Sequence, residues 1–499
     1  MLQTLKNAWN TKEIRSKIFF TLFILLLYRI GTVIPVPFVE ANDFAGSLSG
    51  TILEYMNVLS GGSLGAMTLF ALGVSPYINA SIIIQLLAVV FPALGELGKN
   101  DKKKMNFITR IVTVVLAIVT AVGYYFLLRN GNASAGVDSF LTHQAFGGEM
   151  DWLYAIVIVA CYTAGASLIM WLAERINEKG IGNGISMILF ANIVASVPSF
   201  VYNLAVLVVN TYGYPKKAWL YALVTTVFAV ALIALLLALI AFVIFVTGSE
   251  RRIPVQYAKK VVGRKMLGGQ SSNLPIKLNM TGVMPIIFAS SIVSFVPTIF
   301  QILEGAGVVS TEKTPGWMKF ADIIGSEGAI YPIMLFILII AFAYFYTQIT
   351  FDPIEISNNL KKQGGAIPGI RQGRPTSDYI RKILNKITLA GALFLGVIAV
   401  LPIILGPHAF KYLFEWIYQG GYNLDAYVQQ YMGWGLDYQT ALTWATSSVE
   451  SYATQNASYL VSIFSFGGTT LLIVVGVAIE TFRELEAQLT MRNYKGFLN

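Results

Sequence analysis

The chain has 499 residues, 56% of them hydrophobic and only 12% charged, with a formal net charge of +9. A soluble domain carries about twice that share of charge, so the surplus apolar residues cannot be hidden in a water-soluble core. One cysteine, Cys161, excludes a disulfide framework and a cysteine-cluster metal site. Two histidines, His143 and His408, leave almost no material for a histidine-based metal or acid/base centre, and no cofactor is implied.

A helix needs about 20 apolar residues to cross a bilayer core of about 30 Å. Ten such runs occur, near 18–36, 73–92, 111–128, 152–173, 185–206, 218–247, 281–303, 330–350, 387–405 and 460–480. The ten-residue alternation of a membrane barrel is absent. The first run is followed by Pro35 and Pro37 without a small-residue cleavage site, so it reads as a retained span. The expected class is an all-α polytopic membrane protein.

Residues 57–94 are too long and too interrupted for one span. Gly61, Gly62, Ser63, Leu64 and Gly65 are small or weakly apolar, and Gly73 and Pro76 follow. Glycine and proline both weaken a helix interior, which predicts a half-helix over 61–72, a break, and a full helix from about 74. Broken backbone at membrane depth is tolerated where it lines a cavity or is buried in protein. The same five residues match G-x-S-x-G, but a nucleophile elbow needs a preceding strand and a base, and neither histidine has a suggestive spacing. Gly180-Ile181-Gly182-Asn183-Gly184 lacks the strand and spacing of a phosphate loop. It reads as a tight turn between helices.

With the N-terminus inside, segments 1–17, 95–110, 174–184, 248–280, 351–386 and 481–499 hold 28 of the 35 Lys and Arg. The net charge is then about +16 inside and −8 outside, the bias expected of cytoplasmic loops. Two loops exceed that need. One carries Arg251, Arg252, Lys259, Lys260, Arg264, Lys265 and Lys277; the other carries Lys361, Lys362, Arg371, Arg374, Arg381, Lys382 and Lys386. Such basic loops suit anionic lipid, RNA or an acidic protein surface, or serve only to set topology. Within the spans, Arg29 is the one clear charge, placed to snorkel or pair near the outer end. Gln85, Asn192, Gln301 and Gln348 are polar, but no carboxylate stands at mid-depth. An ion-coupled carrier with broken helices is the runner-up reading, and a passive pore with an aliphatic constriction fits better.

Several stretches together carry a family resemblance. They are Phe70-Ala71-Leu72-Gly73-Val74-Ser75-Pro76-Tyr77-Ile78-Asn79-Ala80-Ser81, continuing to Leu87; Gly180–Ser186; Glu250–Lys259; Gly268–Ser272; Asn359–Lys362; Pro368-Gly369-Ile370-Arg371; and Gly467–Ile473. In these stretches the chain resembles the SecY family, the central subunits of bacterial protein-conducting channels, over almost its whole length. The resemblance implies ten transmembrane helices in two pseudo-symmetric five-helix halves, 1–217 and 218–499, around an hourglass pore. It implies a pore ring of Val74, Ile78, Ile185, Leu189, Ile287 and Ile473. The half-helix 61–72, with Gly61, Gly62, Ser63, Leu64, Gly65, Leu69 and Phe70, corresponds to the family's plug. A lateral gate lies between helices two and three and helices seven and eight.

The two basic loops correspond to cytoplasmic docking knobs, with Arg371 the leading candidate among Arg251, Arg252, Lys259, Lys260, Arg264, Lys265, Lys361, Lys362 and Arg374. The implied partners are SecE-like and SecG-like small subunits, a SecA motor ATPase, the ribosome, signal peptides with nascent chains, and membrane lipid. The implied place is the bacterial cytoplasmic membrane, with both termini cytoplasmic and no enzymatic activity. Four departures from the family pattern stand out: Gln372 after Arg371, Lys102-Lys103-Lys104 in the loop after helix two, Thr120 in helix three, and the long segment 406–459. That segment is rich in Tyr and Trp, which suit a membrane interface. It is expected to form an ordered outer cap, with a flat amphipathic helix over 409–418 and with Trp416 and Trp434 shielded.

Overall fold

The structure, a computed structural model, describes residues 2–40, 44, 52–130, 140–141, 151–212, 218–257, 260–262, 265–267, 271–305, 330–421, 424–447 and 468–495. A short amphipathic helix, α1 (Leu2–Asn10), leads into α2 (Lys12–Gly31) on the first apolar run. Helix α3 (Ile52–Leu59) gives way to turns through residue 74, and α4 (Ser75–Val90) follows. Pro76 sits in the first turn of α4, where a missing N–H costs nothing. At the other end Pro92 forces Phe91 into an extended conformation (φ −106°, ψ 105°), since the residue before proline avoids the helical region. The chain therefore bends by 118° into α5 (Pro92–Asn100).

Four long helices come next: α6 (Lys102–Asn130), α7 (Asp151–Lys179), α8 (Gly184–Tyr212) and α9 (Ala218–Gly248). Strands β1 (Glu250–Tyr257), β2 (Lys260–Val262), β3 (Lys265–Leu267) and β4 (Ser271–Lys277) occupy the first basic loop. Then follow α10 (Met284–Gly305), α11 (Ile330–Thr350), α12 (Pro353–Lys362), β5 (Gly365–Ala366) and α13 (Arg374–Gly421). The chain continues through α14 (Leu424–Gly433), α15 (438–447) and α16 (Gly468–Lys495).

Helices stand at all ten expected apolar runs. Six of them (α6, α7, α8, α9, α11 and α13) are long and apolar enough to cross a bilayer, and α4 with α5 makes a seventh if the bent pair is one span. Helices α2, α10 and α16 stand at the other three runs. Outward faces stay apolar: Val115 and Val119 on α6, and Val230, Leu237 and Phe245 on α9, are all exposed. That is the surface a helix presents to lipid.

Three expectations change. Residues 61–72 are not a half-helix; the helix lies upstream in Ile52–Leu59, and the glycine-rich stretch runs in tight turns. Gly61 and Gly62 adopt φ of +68° and +87°, which glycine enters freely and which no right-handed helix contains. Second, 409–418 is no separate helix, because α13 runs unbroken to Gly421. Of the rest of the expected cap, α14 and α15 form a hairpin that buries Val428, Ala441 and Ala445, while the side chain of Trp416 and residues 448–459 lie outside the described residues.

Third, the two basic loops are one folded unit. Strand β1 pairs with β4 along its length and, through Gln256 and Tyr257, with β5 of the second loop. Alternation drives this: Ile253 and Val255 point inward while Arg252, Pro254 and Gln256 face solvent. The inward pair packs with Ile276, Leu360, Ile367, Ile380 and Ile383 in a small separate core. The main core joins α2, α4, α7, α8, α9, α10, α11, α13 and α16 through residues such as Ile24, Ile78, Ile188, Ile287, Leu335 and Leu472.

Candidate functional site

Four helices from both ends of the chain aim aliphatic side chains at one point. Val74 caps α4, Ile78 lies one turn into it, Leu189 comes from α8, Ile287 from α10 and Ile473 from α16. All five line a single cavity and none is more than 4% exposed. The free space is about 20 Å³, room for about one water molecule. Ile185, the sixth expected ring residue, is half-buried against the same core but lies one turn nearer the start of α8, outside the cavity lining.

The remaining wall comes from the turn segment and its flanks: Met56, Leu59 and Ser60 on one side, Ala71, Leu72 and Gly73 on the other. Ser290 also lines the cavity, but its hydroxyl donates back to the Ile287 carbonyl at 3.0 Å. Turned inward on its own helix, it adds little polarity. Sequence reading missed Met56 and Ser290, since a serine on a helix and a methionine in a short apolar run carry no signal of their own.

The turn segment is heavily fastened. Asn57 accepts from Gly62 N through its carbonyl (2.8 Å) and from Gly65 N through its side chain (2.8 Å). Thr68 N donates to the Ser63 carbonyl, and Leu69 N and Val36 N close a bridge between 34–36 and 67–69. Leu64, Met67, Ala71 and Leu72 are buried against Tyr124, Leu128, Ile158 and Tyr162 of α6 and α7. Phe70 stacks on Tyr28 with ring centres 5.3 Å apart. The backbone of Leu69 comes so close to α7 that any Cβ at Gly165 would collide with its carbonyl oxygen. Ser63 thus sits among turns, not between a strand and a helix, and no nucleophile elbow is formed.

The side of the bundle is closed as well. Helix α10 packs against both α4 and α6, and the Tyr346 hydroxyl on α11 donates to Gln85 Oε1 on α4 at 3.0 Å. Thr120 does not cross this seam; its hydroxyl donates to Leu116 O on its own helix. Between α7 and α8 the 180–184 turn is capped by Asn177 and Asn183 side chains that accept from Gly184 N and Ile185 N. It is a tight inter-helix turn, as expected.

On the charged unit, Arg251, Lys361, Lys362, Arg371 and Arg374 are exposed. Arg252 is exposed too and pairs with Glu250 at 2.7 Å. Helix α12 is capped by Asp352, which accepts from Ile354 N, and ends on Lys361 and Lys362 at the negative end of its dipole. The loop bearing Arg371 is pinned: Thr376 donates to the Arg371 carbonyl, Ser357 to Gly373 O, and Gln372 to Gly365 O. Lys277 lies partly buried on β4, where burial and then the nearby Arg483 push its ammonium below the ordinary lysine range, against a smaller opposing pull from Glu250. Lys259 and Arg264 lie outside the described residues, as do the side chains of Lys260 and Lys265.

The profile of the SecY family matches residues 68–432. The chain is 38% identical over 511 residues to the protein translocase subunit SecY of Mycobacterium bovis, covering all of both chains. It is 37% identical to that of Streptomyces galbus, again end to end. The chain belongs to the SecY family. It is a multi-pass membrane protein that serves as a protein-translocation channel. Its fold matches a solved protein-conducting channel with a TM-score of 0.56 at 18% identity, covering 95% of this chain and 92% of that one. It also matches Sec61 in the canine ribosome–channel complex of the endoplasmic reticulum, with a TM-score of 0.53 at 17% identity over 95% and 92% of the two chains.

Proposed function

We propose that the five-sided aliphatic cavity is the resting seal of the channel and that 61–72 is its plug. One observation carries this: side chains from α4 and α8 of one half and α10 and α16 of the other meet around about 20 Å³, with the turn segment as a wall. Apolar walls of this width exclude hydrated ions by dewetting. Because the contributors belong to 1–217 and 218–499, separating the halves widens the pore, and parting α4 and α6 from α10 and α11 opens it to lipid. Secretory chains cross by the first motion, and membrane segments leave by the second.

The basic unit built from β1, β4, β5 and α12 is the docking face for a SecA-type motor or the ribosome. The relative seen in a ribosome–channel complex supports that reading, and the exposed Arg371 on a pinned loop supplies a rigid contact. The charge asymmetry favours cytoplasmic termini in a bacterial plasma membrane, with SecE-like and SecG-like subunits alongside. The polypeptide catalyses no bond chemistry of its own in this scheme.

The seal is tested by Ile287→Asn with Ile473→Asn. In planar bilayers the double variant should pass small ions at rest and, in vesicles, should accept precursors with defective signals. Unchanged resting current together with unchanged signal selectivity would overturn the assignment.

A further inference from the structure

Behind the cavity, two pairs of neighbouring residues grip the base of the turn segment. Asn192 on α8 is fully buried, and its amide Nδ2 donates to the Tyr28 hydroxyl at 2.9 Å and the Leu59 carbonyl at 2.8 Å. Leu59 ends α3, so its carbonyl is one of the acceptors a helix end leaves open. Tyr28 is equally buried and stacks on Phe70 at the far end of the segment. Next to it, Arg29 donates Nη2 to the Ala191 carbonyl at 2.6 Å. Gly61 lies so close that a Cβ there would stand 2.9 Å from both Arg29 Nη1 and Asn192 Oδ1. Leu59, Gly61 and Phe70 are therefore all met by Tyr28–Arg29 and Ala191–Asn192.

One atom in this cluster is left over. Asn192 Oδ1 is buried and accepts from no described residue. A buried amide with one face paired and the other bare is stable only while its donors are used.

We propose that Asn192 is a positioning residue that latches the turn segment shut through the Leu59 carbonyl and the Tyr28 hydroxyl, releasing it when the segment moves. In the dry closed state the amide bonds have no competitor. Once the segment shifts, water reaches both Nδ2 and the bare Oδ1, pairs with them, and removes the drive to reclose. The latch thus sets a threshold for opening rather than a position for the passing chain. This inference rests on the plug reading of 61–72.

The test uses the full-length chain in its native membrane, with Cys161→Ser and a single Leu64→Cys in the buried face of the segment. The readout is the rate of labelling by a membrane-impermeant maleimide added from the outer side. Asn192→Ala should raise that rate about five- to thirty-fold, the equilibrium shift for one to two net hydrogen bonds. Tyr28→Phe keeps the ring stack, removes one acceptor, and should raise the rate about fivefold or less. It decides the matter if Asn192→Ala fails to accumulate. Melting temperature should hardly move, which separates a latch from a general packing role. A third arm deletes 60–72 and records resting ion current. Unchanged labelling in both substitutions, with increased current on deletion, overturns the latch and leaves the plug reading intact. Unchanged current on deletion overturns the plug reading and the latch with it.

Discussion

The aliphatic cavity and the basic unit put the same amino acids to opposite uses. At the cavity the Val, Leu and Ile side chains are themselves the proposed sealing surface, and Ser290 in its wall donates to its own helix at Ile287 O. In the basic unit Ile253, Val255 and Ile380 are hidden inside, and the cations they hold outward form the proposed docking surface. Sealing requires that no free charge reach the path. Docking requires charges that stay unspent, and the surface pair seen among the unit's described residues, Arg252–Glu250, is 68% and 30% exposed and therefore weak. Substitutions that add polarity should thus injure the first region, and those that reverse charge should injure the second, without crossing over.

Reversing charge should give the largest effect. Arg371→Glu is expected to leave membrane insertion and abundance unchanged, because the loop is held by Thr376 and Ser357 rather than by the guanidinium. Motor-driven translocation in vesicles should fall by about thirtyfold to several thousandfold, as for a lost interfacial charge contact of about 2–5 kcal/mol. Survival of both transport and partner affinity would remove the docking role. A bulky residue beneath the turn segment comes next. Gly165→Val drives a side chain into the Leu69 carbonyl and should cost about 1–3 kcal/mol of stability, the usual price of overpacking. Gly248→Ala, which meets open space, should leave the melting temperature unmoved; equal effects would show that the close approach does not matter.

Smaller still is the seam between α4 and α11. Tyr346→Phe removes the hydrogen bond to Gln85, about 0.5–1.5 kcal/mol, and should raise opening frequency in single-channel records about two- to tenfold. The long segment 406–459 should matter least. Replacing 409–456 with a Gly/Ser linker should keep transport within about twofold if the barrier lies at the constriction. Trp434 is 67% exposed on its hairpin, so only lipid or a partner can shield it. Free aqueous quenching of its fluorescence would remove the membrane-cap reading.

The spans were legible because twenty consecutive apolar residues leave few other folds, and even the 118° bend follows from Pro92. That Val74, Ile78, Leu189, Ile287 and Ile473 meet at one cavity was not legible from chemistry, since aliphatic residues pack everywhere in such a bundle; motif position alone singled them out, together with Ile185, which lies outside the lining. The helix expected over 61–72 failed because a short apolar stretch says nothing about φ, and Gly61 and Gly62 take left-handed values. The union of the two basic loops was hidden for another reason. Gln256 and Tyr257 pair with Ala366 and Gly365, more than a hundred residues away, through a strand of two residues. Arg29 and Asn192 were visible as polar residues in apolar spans, but not that the first would pair with Ala191 O and the second with Leu59 O.

The central claim is that a polypeptide passes through the point where α4, α8, α10 and α16 meet. It is tested by arresting a precursor with one cysteine in its mature part and placing single cysteines in a Cys161→Ser chain. Ile78→Cys, Leu189→Cys, Ile287→Cys and Ile473→Cys should each form a disulfide with the arrested chain, while Val115→Cys and Val230→Cys, which are exposed on outer faces, should not. Equal yields at all six positions, or yields only at the outer two, would contradict a path through the constriction.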